Sequence, residues 1–127
     1  MSEQENIGNG LVEKVFTQCF EFSRQIVGEK KTAELFSESY RKILPYFHVL
    51  TKFQIGTDHQ LMVKGDSINE NEMLSFAVWI QQFLRDLKQF MVGLGHVEIE
   101  QITAALESQL NDAGFYRFYH QAQEFDY

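Results

Sequence analysis

The stretch "NENEMLSFAVWIQQFLRDLKQFMVGLG", Asn69–Gly95, decides the fold. Apolar residues recur at Met73, Phe76, Ala77, Ile80, Phe83, Leu84, Leu87, Phe90 and Met91, in steps that place them on one face of an α-helix. Leu74, Val78 and Trp79 widen that face past half the circumference, so the helix needs cover on more than one side. Asn69 can cap the start, and Glu72, three residues on, suits the N-terminal end of the dipole. Gly93 and Gly95 end it. The predicted helix covers roughly 24 residues, about 35 Å at 1.5 Å per residue.

Upstream, Val12, Val15, Phe16, Cys19, Phe22 and Ile26 trace an apolar stripe from Leu11 to Val27, closed by Gly28. A second helix runs from about Lys31 to Leu44, with Phe36, Tyr40, Ile43 and Leu44 on one face, and Pro45 stops it. Between this pair and the long helix, Phe53/Ile55 and Leu61/Val63 alternate around Gly56-Thr57-Asp58, which predicts a short β-hairpin lying on a helical face. Downstream, Val97, Ile102, Ala105, Leu106 and Leu110 predict a helix over about His96–Asn111, closed by Gly114.

The two helical pairs resemble each other. Val12, Val15, Cys19, Phe22 and Ile26 fall on Ala77, Ile80, Leu84, Leu87 and Met91, and Val27-Gly28 falls on Val92-Gly93. After one inserted residue, Phe36, Tyr40 and Leu44 fall on Ile102, Leu106 and Leu110. The expected architecture is mainly α: a four-helix bundle made of two similar helical hairpins, joined by the short β-hairpin. Residues 1–9 read as a flexible tail and 10–127 as a single helical domain, with an internal duplication relating 11–44 to 76–110.

Composition narrows the function. With 127 residues, 44% of them hydrophobic, the chain can bury a core without disulfides or metal. A net charge of −7 disfavours nucleic acid as a partner. No apolar run reaches the roughly 18 residues that span a bilayer, and MSEQENIGNG holds no apolar signal core, so the expected location is cytoplasmic with no membrane partner. The single Cys19 excludes an internal disulfide and, lying on an apolar stripe, reads as core.

Chemistry-bearing patterns are sparse. His48, His59, His96 and His120 match no zinc spacing, and no HExxH, DxDxDG or GxSxG element occurs. The glycines of "VGLGH" follow a helix, not a strand, and read as a stop. Glu70/Glu72 and Glu98/Glu100 flank helix starts and read as dipole partners. No catalytic or metal site is expected.

Surplus aromatic surface points instead to an interface. Trp79 and the tail residues Phe115, Tyr116, Phe118 and Tyr119, with Phe125 and Tyr127 beyond them, exceed what one small bundle core needs. The expected function is a non-enzymatic interaction or regulatory module, binding a protein partner or itself as a homodimer. The alternative is a sensor or carrier of an apolar small molecule or haem inside the bundle, with His48, Phe47 and Phe83 as the ligand-facing residues. The outer edge of the hairpin, if unpaired, offers a third route, by adding strands to a partner.

Overall fold

The computed structural model describes residues 7–124. The long helix is its centre. Glu70–Phe90 forms α3, opened by a reciprocal capping box: Asn69 Oδ1 accepts from the Glu72 N–H at 2.9 Å, and Glu72 Oε1 accepts from the Asn69 N–H at 2.9 Å. Every residue from Ser75 to Leu84 is buried, as expected of a helix covered all round. It stops at Phe90, three residues before Gly93, because Met91 already takes an extended conformation (φ −115°, ψ 109°).

The first half follows the sequence reading closely. Helices α1 (Asn9–Val27) and α2 (Glu29–Ile43) turn about Gly28, whose φ of 91° is open to glycine and costly for other residues. The buried stripe of α1 is rotated from the expected one: Phe20 and Ser23 are interior, whereas Phe22 and Ile26 are only half-buried. Ser23 can be buried because its hydroxyl pairs with that of Thr32 on α2, 2.7 Å away. The expected tail over 1–9 gives way at Ile7. Ile7–Gly8 forms strand β1, and Asn9 already belongs to α1; residues 1–6 lie outside the described residues.

After α2, a 3-10 turn (His48–Lys52) leads into the expected hairpin, β2 (Phe53–Ile55) antiparallel to β3 (Leu61–Val63), in the register Phe53↔Val63, Gln54↔Met62 and Ile55↔Leu61. Strand β4 (Ser67–Ile68) then pairs with β1. Leu50, Phe53, Leu61 and Ile68 turn inward to join the core.

The second half departs from the four-helix expectation. In place of one helix over 96–111 there are α4 (Ile99–Ile102), a 3-10 turn (Ala104–Leu106) and α5 (Glu107–Ala113). The break falls at buried Thr103 (φ −105°, ψ 25°), whose hydroxyl lies 2.9 Å from the Ile99 carbonyl and 2.8 Å from the Tyr116 hydroxyl. Such side-chain bonding to the preceding turn competes with helix continuation. Gly114, at φ 79°, then reverses the chain into α6 (Phe115–Ala122). Helix α3 packs against α2 on one side and α6 on another. The second helical hairpin therefore does not form, and the aligned segments 11–44 and 76–110 have different structures. Among the described residues, no helix is long and apolar enough to cross a membrane.

Candidate functional site

The five residues expected at an interface are interior. Trp79 and Phe115 are fully buried, and Tyr116, Phe118 and Tyr119 nearly so. The Trp79 indole N–H points at the Phe36 carbonyl (3.2 Å) and the Ser39 hydroxyl (3.1 Å), so its polar edge is satisfied inside the chain. Helix α6 packs on α3 and supplies the cover that the missing fourth helix does not, with the Phe115 ring 6.2 Å from that of Phe76 and the Tyr116 hydroxyl turned to Thr103. The four α6 aromatics were surplus only against a core assumed to be complete without them. Phe125 and Tyr127 lie outside the described residues.

The three residues expected to face an apolar ligand are not brought together. His48 is exposed on the 3-10 turn and Phe47 beside it is half-buried, while Phe83 is stacked face to face on Phe36 with ring centroids 3.7 Å apart. Rings at that spacing leave no room for a haem or other ligand between them. Cys19 is fully buried, which pushes its thiol up to about 12, the unreactive setting expected of a core cysteine. Among the described residues, no group of three or more metal-ligating side chains assembles. His96 lies exposed in the loop before α4.

What the structure does assemble is a groove between α2 and the hairpin. Main-chain bonding sets its strand side. Lys64 N–H donates to Lys52 C=O (3.0 Å) and Gly56 N–H to Gln60 C=O (2.8 Å), so even-numbered residues of β2 face β3. Phe53 and Ile55 therefore present their main-chain groups to the opposite edge. There the Tyr40 hydroxyl, 2.9 Å from the Phe53 carbonyl, covers that acceptor; burial raises the phenol's pKa and keeps its proton in place. The N–H and C=O of Ile55 find no partner among the described residues.

On the helix side, Ser37, Tyr40 and Arg41 face Gln54 and Ile55 across a recess of about 310 Å³. Ser37 and Arg41 also border a larger recess of about 590 Å³, lined besides by Glu29, Lys30, Glu34 and Glu38, with His59 beside Glu29 at its far end. The α2 residues 30, 34, 37, 38 and 41 are one solvent-facing stripe at helical spacing.

His59 closes that far end. It is the one non-glycine residue at positive φ (62°) among the described residues, at the last position of the three-residue turn Thr57-Asp58-His59. Three-residue hairpin loops place a left-handed residue there. Its ring stacks on Phe20 (5.4 Å between centroids), and Nε2 lies 3.3 Å from Glu29 Oε2. Sequence reading found the hairpin and offered its outer edge for strand addition, but did not bring α2 to that edge. Which edge of β2 stays unpaired depends on register, and which α2 residues face it depends on helix placement; neither is written in local spacing.

Comparison of the chain with protein-family models, curated proteins and solved structures finds no match.

Proposed function

We propose that the chain is a non-enzymatic interaction module whose partner engages the groove between α2 and β2, not the aromatic residues of α3 and α6. One observation carries this reading: the unpaired main-chain groups of Ile55 open onto a recess walled by an exposed helix face. Unpaired strand edges are ready templates for added chain. The non-enzymatic part rests on what surrounds the histidines. His59 and His120 each contact a carboxylate, Glu29 and Glu100, at or near the surface, and among the described residues neither has a hydroxyl or thiol in hydrogen-bond contact.

The test is a bulky plug. Ser37 is half-buried on the groove wall, and Ser37→Trp fills the recess without touching the core. Wild type and variant, each immobilised after matching circular dichroism, are exposed to an extract of the cells that make the protein. Proteins held by wild type and released by Ser37→Trp are the expected result. Identical retained sets would sink the groove as the interaction surface.

A further inference from the structure

The groove is closed at both ends, which restricts what can occupy it. At one end the Tyr40 hydroxyl touches the Phe53 carbonyl, and at the other His59 touches Glu29. Those two contacts also fix direction: α2 runs from the His59 end to the Tyr40 end, while β2 and its turn run the opposite way. The α2 positions concerned are eleven residues apart, about 16 Å along the helix, enough for about five extended residues. Only Ile55 offers free edge pairing within that window, so a strand passing through would lose its ladder at Phe53. A chain end would not.

Charge selects which end. Arg41 is exposed at the closed Tyr40 end and belongs to no ion pair among the described residues, unlike Arg24, Lys31, Lys42 and Lys52. A segment antiparallel to β2 arrives there with its C-terminus, whose carboxylate suits a guanidinium fork. A parallel segment would bring an ammonium to the same cation. One helical turn back toward His59, Glu38 is likewise exposed and in no ion pair among the described residues, and Glu34 lies beyond it on the same wall.

We propose that this groove receives the extended C-terminus of a partner protein, paired to the Ile55 main chain, with its terminal carboxylate on Arg41 and a lysine or arginine about two residues earlier over Glu38. This inference rests on the groove being the interaction surface and adds the chemistry of what binds there.

The experiment titrates the full, isotope-labelled chain with acetyl-Val-Thr-Lys-Thr-Val bearing a free C-terminal carboxylate, and with the same peptide as a C-terminal amide. Amide resonances of Gln54 and Ile55 and the Arg41 side-chain signal should shift with the acid. The amide should bind about tenfold more weakly, the loss expected for one charge-assisted contact. Arg41→Gln should remove the difference between the two peptides while leaving the spectrum folded, and Glu38→Lys should weaken both. No shift at Ile55 by roughly 5 mM acid, or equal affinities of wild type for acid and amide, overturns the C-terminus proposal. Neither result touches the Ser37→Trp comparison, which judges the groove by itself.

Discussion

At His59 a β-carbon sits where the backbone φ is 62°, a region that disfavours side chains and that glycine enters freely. The ring is held by Phe20 and Glu29, so the residue combines a cost in the backbone with gains from the side chain. Two substitutions separate the parts. His59→Ala loses the ring contacts and keeps the strained β-carbon, whereas His59→Gly loses both. The glycine variant should therefore be the more stable by about 1 kcal/mol in urea unfolding. Equal stabilities would mean that the turn relaxes out of the left-handed region when the ring is gone. The same residue shows the limit of local reading. Gly56-Thr57-Asp58 announces a turn, yet the left-handed position falls on the histidine after it because the Gly56–Gln60 bond closes a three-residue loop.

The elements of the second half are joined by a clasp with both ring nitrogens of one histidine engaged. On α6, His120 Nε2 lies 2.7 Å from Glu100 Oε2 on α4, and Nδ1 lies 3.0 Å from Gln123 Oε1. Two acceptors facing one imidazole favour the doubly protonated ring. The bond to Glu100, then that to Gln123, raises the His120 pKa above its ordinary 6.5, with the Glu98 charge a lesser contributor. A raised folded-state value places the stabilisation below the unfolded pKa, where the ring is charged in both states. It is lost as pH rises through the folded value. Urea midpoints should fall as pH is raised from below about 6.5, and His120→Asn should flatten that part of the profile. An unchanged profile in the variant would assign the dependence to other groups.

Legibility also divided at the level of elements. Helices α1, α2 and α3 and the hairpin were written in periodicity, capping residues, Pro45 and glycines, each a short-range signal. The region 96–111 carried the same helical periodicity, but Thr103 spends its hydroxyl on Ile99 and Tyr116, and the helix breaks. Tyr116 lies thirteen residues away in sequence, beyond any local window. The groove was hidden for the same reason, since Arg41 and Ile55 meet only through the packing of α2 on the hairpin.

For the whole molecule, the role of the tail aromatics changes what their removal should do. Phe115, Tyr116, Phe118 and Tyr119 are core, and burial of four such side chains stabilises the fold by about 6–12 kcal/mol. That is comparable to the entire net stability of a small domain, about 5–15 kcal/mol. Ending the chain after Gly114 should therefore give a protein without a cooperative unfolding transition, its tryptophan emission already red-shifted in buffer. A truncated chain that stays folded and merely loses self-association would restore these residues to an interface.

The chain has one tryptophan, and its placement has an optical consequence. Around the Trp79 ring stand Phe16 from α1, Phe36 and Tyr40 from α2 and Phe76 from α3, all with centroids within 6.0 Å. Its emission thus reports the docking of three helices in one signal. The turn at Thr57–His59 lies outside that ring of neighbours. Opening of the groove's His59 end would therefore be dark to fluorescence, while any loosening where the first three helices meet would be bright.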